Sequence, residues 1–156
     1  MALEIERKFL VVGDFKSEAL KSEQIRQGYL SIAPECTVRV RQKGERVFLT
    51  VKGKSTESGL TRIEWEKELE TKDADELFQL CQSSFIDKTR YYVPFKNVVY
   101  EVDVFDKENK GLVIAELELK DENQKFEKPS WLGEEVTGDI RYYNLYLSEH
   151  PFSKWK

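Results

Sequence analysis

Short segments that alternate charged and apolar residues recur along most of the chain, and this pattern constrains the fold more than any other feature. The first is "LEIERKFLV", residues 3–11. Because successive side chains of a strand point to opposite faces, this segment places Glu4, Glu6 and Lys8 on one face. In all, eight strands are predicted near residues 3–11, 23–32, 37–43, 46–54, 60–70, 86–95, 98–105 and 112–120.

Short turns join several of these strands. Gly44 and Glu45 connect the third to the fourth, and Lys96 and Asn97 connect the sixth to the seventh. The polar segment "GKSTESG" separates the fourth from the fifth. Many consecutive strands with brief turns predict an antiparallel sheet, arranged as a sandwich or as a closed barrel.

Two helices are predicted between and after the strands. The segment 73–83 begins with Asp73 and carries Glu76 three positions later, which resembles a capping box. Its apolar residues recur at helical spacing and predict a face packed on the core. They are Ala74, Leu77, Phe78 and Cys81.

The second helix is predicted over residues 139–149, where Ile140, Tyr143 and Leu147 share a face. A shorter helix is predicted over residues 14–20. The segment 121–138 is polar and predicted to be irregular, with Trp131 anchoring it by burial.

Length, charge and cysteine content limit the possible classes of protein. A chain of 156 residues predicts one domain over residues 1–156. The formal net charge of −4 creates no overall attraction to nucleic acid or to an anionic membrane, so neither partner is expected. No apolar run is long enough to span a bilayer, and the N-terminus lacks the order of a signal peptide. Cys36 and Cys81 lack a metal-type spacing, which favours reduced thiols and a cytoplasmic protein.

Histidine chemistry is not expected in this chain. His150 is the single histidine and precedes Pro151 at a predicted helix end. A serine–histidine triad or a histidine-rich zinc site is therefore not expected as a basis for function.

Charges of one sign recur on single strand faces. The acidic faces carry Glu4 and Glu6, Glu64 and Glu66, Glu101 and Asp103, and Glu116 and Glu118. The basic faces carry Arg39 and Arg41, and Lys88 and Arg90, while Lys52 lies on the fourth strand.

A solvated sheet face is the simplest explanation for charge on any one strand. Such a face gains more from mixed signs, however, because like charges across neighbouring strands are destabilising. Segregated signs are expected if the face binds a ligand that carries both, such as a polyphosphate with divalent cations. Carboxylates bind Mg²⁺ or Mn²⁺, and arginine and lysine bind phosphate oxygens.

Eight strands are enough to close a barrel, and a charged face turned inward would then form a hydrated channel. The apolar face would point outward and need cover from helices or from a partner chain. Because the predicted helices can cover only part of it, this arrangement favours a homodimer.

The order of these motifs resembles the CYTH superfamily, also called triphosphate tunnel metalloenzymes, in its compact bacterial single-domain branch. "EIERKF" matches the Glu-x-Glu-x-Lys signature of that family. The resemblance covers nearly the whole chain and continues through "RVRQK", "TVKG", "EWEKEL", "KTRYYV", "YEVDVF", "IAELEL" and "EEVTGDIRYYN". It implies a mainly β (α+β) fold, an eight-stranded antiparallel closed barrel with a charged tunnel and a few flanking helices.

The resemblance also implies a metal-dependent enzyme that hydrolyses a triphosphate, and inorganic tripolyphosphate is the expected substrate, giving pyrophosphate and phosphate. Mg²⁺ or Mn²⁺ is the expected cofactor. The residues expected to bind phosphate are Lys8, Arg39, Arg41, Lys52, Lys88 and Arg90. The candidate metal ligands are Glu4, Glu6, Glu101, Asp103, Glu116 and Glu118.

Four residues are candidates for a direct part in catalysis. Glu64 and Glu66 could complete a second metal site or orient the attacking water. Tyr29 would help to activate water if Lys88 approached its phenol and lowered the phenol pKa. Packing at the channel wall is the alternative for Tyr29.

One departure from the family lies in the C-terminal helix. Relatives often carry a lysine after the Arg-Tyr pair, whereas "RYYNLYL" has Tyr143 there. Arg141 is the alternative phosphate contact, or else a surface residue.

Three other functions remain open from the sequence. An adenylyl cyclase would need an adenine site, and no segment of the sequence indicates one. A thiamine triphosphatase would need an aromatic or acidic group near the channel mouth. A non-catalytic polyphosphate- or nucleotide-binding module would need fewer paired carboxylates than this chain carries.

Overall fold

The structure, a computed structural model, describes residues 2–82 and 84–155, and these residues form nine strands and two α-helices. The strands are β1 Ala2–Val11, β2 Lys21–Ala33, β3 Cys36–Lys43, β4 Arg46–Gly53, β5 Thr61–Leu69, β6 Ile86–Phe95, β7 Val98–Phe105, β8 Val113–Glu118 and β9 Leu132–Glu135. The α-helices are α1 Ala74–Gln79 and α2 Asn144–Glu149. Turns of 3-10 helix span Lys16–Glu18, Thr71–Asp73, Lys107–Asn109, Ile140–Tyr142 and Phe152–Lys154.

The first eight strands close into an antiparallel barrel, as the sequence predicted. Their order is β5-β4-β3-β2-β6-β7-β8-β1, and β1 also pairs with β5 to complete the ring. The closing pairs include Leu3 with Ile63 and Glu4 with Arg62. Closure leaves the alternating faces of the strands on the inside and the outside of one ring.

The prediction of an irregular segment over 121–138 was wrong at Leu132–Glu135. These residues form β9, which pairs with the end of β1 on the side that β5 leaves free. A strand of four residues that contains Gly133 has too little alternation to be read from sequence. The predicted burial of Trp131 is confirmed, since its side chain is 1 % exposed.

The helices are shorter than predicted. Only Lys16–Glu18 is helical in the segment 14–20. The capping box at Asp73 was wrong, because a 3-10 turn precedes α1 and the Asp73 side chain makes no capping hydrogen bond. The predicted apolar stripe is confirmed, since Ala74 packs with Leu77, Phe78 and Cys81.

The predicted helix over 139–149 is interrupted at Tyr143, which has an extended backbone between the 3-10 turn and α2. Leu147 is buried, but Ile140 is 62 % exposed, so these residues do not share one buried face. Across residues 2–82 and 84–155, no helix is long and apolar enough to cross a membrane.

The apolar core forms three clusters: the first and third lie on the outside of the barrel, and the second occupies inward-facing positions of β6–β8, on the same face as Lys88 and Asp103. The largest covers β1 and β6–β8 and contains Phe9, Val102 and Trp131. The second packs Leu147 of α2 near Phe105, and the third lies under α1. On β1 and β5 the outward side chains of Leu3, Ile63 and Trp65 remain 43–63 % exposed. The helices thus cover part of the outer face, and the homodimer remains a prediction.

Candidate functional site

The interior of the barrel is a cavity of about 600 Å³ whose wall is largely charged. Thirteen of its lining residues come from inward-facing positions on seven strands: Glu4, Glu6, Lys8, Tyr29, Arg39, Arg41, Lys52, Arg62, Glu64, Glu66, Arg90, Glu116 and Glu118. The inward orientation of the charged face is therefore observed. Lys88, Glu101 and Asp103 lie in the layer of side chains around Arg90.

Glu4 and Lys52 face each other across the closure of the barrel. The Lys52 ammonium donates hydrogen bonds to both carboxylate oxygens of Glu4, at 2.9 and 3.0 Å. Burial opposes ionisation of Glu4, but the charge of Lys52 together with hydrogen bonds from Glu64 and Lys52 outweighs it and lowers the pKa of Glu4 to about 2. Glu4 is thus a firmly ionised carboxylate.

Lys8 lies between two further carboxylates. Its Nζ is 3.1 Å from Glu6 Oε1 and donates a hydrogen bond to Glu116. Glu116 lies directly opposite Lys8 in the register of β1 and β8. Although burial opposes ionisation, Lys8 and Arg90 hold the pKa of Glu116 well below its usual range.

Three carboxyl groups have raised pKa values, because burial and nearby carboxylates disfavour their ionised forms. Burial and the neighbouring Glu116 raise the pKa of Glu6. Burial and a hydrogen bond with Glu4 raise the pKa of Glu64 to about 7. Burial and the charges of nearby carboxylates also raise the pKa of Glu118. Because a bound cation would favour the ionised forms, this side of the cavity suits a divalent ion.

The arginines on β3 carry excess positive charge. Arg39 donates from Nη2 to Thr50 Oγ1 at 3.1 Å, but its buried Nε has no hydrogen-bond partner among the described residues. Arg41 donates from Nε to Gln27 Oε1 at 2.9 Å. Burial, then the charges of Arg39 and Arg90, lowers the pKa of Arg41 to about 10. Crowded guanidinium groups with an unused donor are suited to an anion such as phosphate.

Arg90 is enclosed by carboxylates. It makes a two-pronged contact with Asp103, lies 3.4 Å from Glu101 Oε1, and donates to Glu116 at 3.2 Å. Its side chain is 6 % exposed. Arg90 therefore links the carboxylates of β7 and β8 and fixes their positions relative to Lys8.

Lys88 is fully buried and contacts Asp103 Oδ2 at 2.7 Å and Asn144 Oδ1 at 3.0 Å. Burial, with help from the nearby guanidinium groups, lowers its pKa to about 7. Among the described residues, Tyr29 is not a hydrogen-bond partner of Lys88, and the Tyr29 hydroxyl accepts a hydrogen bond from Gln27 at 3.3 Å. Tyr29 instead packs in the wall of the cavity, where it is 6 % exposed.

The carboxylates of the cavity do not converge on a single point. Within residues 2–82 and 84–155, no three histidine, cysteine or acidic side chains are grouped as a metal site. Lysine ammonium groups stand between them, as the contacts of Lys8 and Lys52 show. The donors are nevertheless hard carboxylate oxygens in one cavity, which fits Mg²⁺ or Mn²⁺ better than a soft metal.

Comparison with known proteins decides the family. The CYTH domain family matches residues 2–145. The chain belongs to the CYTH domain family. This match agrees with the closed barrel and its charged interior.

Two curated CYTH relatives carry the same description. The inorganic triphosphatase of Acetivibrio thermocellus is 46 % identical over 157 residues, covering 100 % of this chain and 99 % of that protein. The inorganic triphosphatase of Nitrosomonas europaea is 37 % identical over 149 residues, covering 93 % and 96 %.

Solved structures share the fold. A crystal structure of an inorganic triphosphatase is 35 % identical, with a TM-score of 0.68 and 95 % of each chain covered. A protein from Pyrococcus horikoshii is 20 % identical, with a TM-score of 0.60 and coverage of 77 % and 80 %, which is a likeness of fold alone.

The C-terminal helix of this CYTH protein differs from the lysine pattern expected of relatives. Tyr143 lines the cavity, and its ring centre is 5.4 Å from Lys8 Nζ. Arg141 is bound to Asp139 at 2.7 Å and lies against Tyr142 and Trp155, outside the charged cavity. Of the two alternatives for Arg141, the structure favours a surface residue.

Several wall residues were not predicted from sequence. Arg62, Thr37 and Thr50 alternate with predicted site residues on the same strand faces, so period 2 alone could have found them. Asn144 had no such signal, because its role depends on where α2 docks.

Proposed function

We propose that this CYTH protein is a metal-dependent triphosphatase that hydrolyses inorganic tripolyphosphate to pyrophosphate and phosphate. The observation that carries the proposal is a cavity inside the closed barrel with excess positive charge around Arg39 and Arg41 and excess negative charge around Glu6 and Glu64. A ligand made of phosphate and a divalent cation satisfies both. The names of the two curated relatives, matched over nearly their full length, support the same substrate.

The proposed phosphate-binding groups are the cations of the tunnel wall. Arg39 and Arg41 supply donors that are unused or only partly used within the protein. Such donors neutralise the charge that develops on the transferring phosphoryl group. The full proposed set is Lys8, Arg39, Arg41, Lys52, Lys88 and Arg90.

The proposed metal ligands are the carboxylates at the closure of the barrel, namely Glu4, Glu6, Glu116 and Glu118. Bound Mg²⁺ or Mn²⁺ would neutralise phosphate charge and polarise the scissile bond. Glu101 also remains a proposed ligand, since it is only partly engaged by Arg90. Asp103 is the weakest member of the set, because Arg90 and Lys88 already occupy both of its oxygens.

Glu64 and Glu66 are the proposed residues for orienting the attacking water. They are consecutive inward-facing residues of β5, and Glu66 accepts a hydrogen bond from Thr50 at 2.8 Å. A carboxyl group with a pKa of about 7, as in Glu64, can accept a proton near neutral pH. Tyr29 would act by packing in the wall, and Lys88 would act as one of the phosphate-binding cations rather than as an activator of Tyr29, because the hydrogen bonds of these two side chains are with Gln27 and Asn144.

A thiamine triphosphatase is the second candidate. Tyr143, Tyr146 and Glu149 line one side of the same cavity. These are the aromatic and acidic groups that a thiazolium ring would need.

A cytoplasmic location remains a prediction that the two free cysteines favour.

A substrate panel tests the proposal. Purified protein would be incubated with tripolyphosphate, thiamine triphosphate, ATP or GTP, each with Mg²⁺ or Mn²⁺ and with EDTA as control. Phosphate release from tripolyphosphate that EDTA abolishes is the expected result. Preferential cleavage of thiamine triphosphate would favour the second candidate, and inactivity toward all four substrates would overturn the proposal.

A further inference from the structure

Two lysines occupy the positions in the tunnel where a cation would neutralise the carboxylates. Lys52 contacts both oxygens of Glu4, at 2.9 and 3.0 Å. Lys8 lies 3.1 Å from Glu6 and also contacts Glu116. Both side chains are largely buried, with exposed fractions of 8 % for Lys8 and 14 % for Lys52. The protein thus supplies its own counter-ions.

A free divalent ion must compete with these ammonium groups for the same oxygens. If it displaced Lys8 from Glu6 and Glu116, a buried ammonium would lose its partners, which is strongly unfavourable. Polyphosphate oxygens would give that ammonium new partners. Release of the carboxylates to a metal ion is therefore favourable when phosphate arrives at the same time.

We propose that Lys8 and Lys52 determine the form of ligand that the tunnel selects, namely a divalent-metal chelate of a polyphosphate in preference to the free metal ion. This inference rests on the proposed function, because it concerns the same cavity. It adds that the metal ion and the polyphosphate each raise the affinity of the tunnel for the other, because a coupling between two binding affinities is reciprocal. Each lysine disfavours the metal ion alone and favours the polyphosphate.

This role predicts that the loss of either lysine changes the affinity for the metal ion and the affinity for the polyphosphate in opposite directions. In the variants Lys8→Met and Lys52→Met, Mn²⁺ alone should bind at least about fivefold more tightly, because its competitor is gone. Tripolyphosphate measured in EDTA should bind at least about fivefold more weakly, because a charged donor is lost. Calorimetry or the electron paramagnetic resonance signal of free Mn²⁺ measures the first affinity, and calorimetry measures the second.

Lys67→Met is the matched control. Lys67 is an exposed residue on the outer face of β5, so its loss should change neither affinity.

Wild-type protein should also bind pyrophosphate at least about tenfold more tightly with saturating Mn²⁺ than with EDTA.

An unchanged or weakened Mn²⁺ affinity in both lysine variants would overturn the inference. If Lys8→Met does not fold, Lys52→Met decides alone, because its side chain is the more exposed of the two. The proposed function is judged separately by tripolyphosphate hydrolysis in the wild type. Opposite shifts in a protein without hydrolysis would keep this inference and reject the enzyme.

Discussion

Arg90 and Asp103 lie opposite each other on β6 and β7 and form a two-pronged hydrogen bond inside the barrel. Nε is 2.8 Å from Oδ1, and Nη2 is 2.9 Å from Oδ2. Lys88 contacts the same Oδ2 at 2.7 Å. Despite burial, the two cations lower the pKa of Asp103. This carboxylate therefore fixes two cations of the proposed phosphate-binding wall.

Asp103→Asn should destabilise the protein, because it leaves Arg90 and Lys88 buried with less compensating charge. Loss of one partner of a buried ion pair costs about 3–5 kcal/mol, and the free energy of unfolding should fall by an amount of that order. Urea denaturation measures it. Glu68→Gln is the control, since its pair with Arg46 is on the surface and should contribute little. Equal effects of the two substitutions would contradict the role of Asp103.

Glu4→Gln and Glu6→Gln should each lower metal-dependent turnover by at least about tenfold, or roughly 1.4 kcal/mol of barrier. Both side chains line the cavity, and each replacement removes the negative charge of a proposed metal ligand. Steady-state rates across full Mg²⁺ and Mn²⁺ titrations measure the loss, and circular dichroism checks the fold. Glu45→Gln, in the exposed turn between β3 and β4, is the control. Wild-type rates in both variants would remove these residues from the metal site.

Arg39→Ala, Arg41→Ala and Arg90→Ala should weaken tripolyphosphate binding as well as rate, because ground and transition states both carry phosphate charge. A loss of about tenfold in affinity, or ~1.4 kcal/mol, is expected for each. Calorimetry in EDTA measures it, with the exposed Arg46→Ala as control. Arg90→Lys is a companion variant, because Arg90 also holds three carboxylates. Unchanged binding in all three alanine variants would reject the assigned roles.

The raised pKa of Glu64 predicts a pH-dependent stability. Its pKa is about 7 in the folded protein and near 4.3 in an unfolded chain, so folding favours the protonated form. Its contribution is complete below the unfolded value and is lost as pH rises through about 7. Glu4, with a pKa of about 2, contributes in the opposite sense, and that contribution is lost only in stronger acid.

Thermal denaturation in EDTA tests this dependence. The Tm of the wild type should fall between about pH 5 and about pH 8, and Glu64→Gln should flatten that fall. Glu57→Gln, on an exposed loop, is the control and should behave as wild type. A Tm that declines equally in wild type and Glu64→Gln would show that Glu64 does not titrate in this range.

Strand alternation made most of the fold and the inward face predictable. Glu4, Arg39 and Glu64 could be placed in one interior because period 2 fixes a side of the sheet and eight strands can close. The family resemblance then supplied the predictions of the metal ion and the substrate. A single domain over residues 1–156 remains a prediction.

What sequence could not provide depends on tertiary contacts. The break at Tyr143 and the contact of Asn144 with Lys88 arise from the docking of α2 against the barrel. The ion pairs of Lys8 and Lys52 follow from which strands become neighbours at the closure. Alternation fixes the face of a residue but not its partner across the cavity.

The most direct test of the proposed function compares tripolyphosphate with ATP in side-by-side initial rates at saturating metal. The tunnel offers charged contacts around its wall, and an all-phosphate substrate can use every one, whereas a nucleoside must protrude from an end. We predict that kcat/KM for tripolyphosphate exceeds that for ATP by at least about tenfold, or roughly 1.4 kcal/mol. ATP equal to or better than tripolyphosphate would contradict the account, and cyclic AMP among the products would identify a cyclase instead.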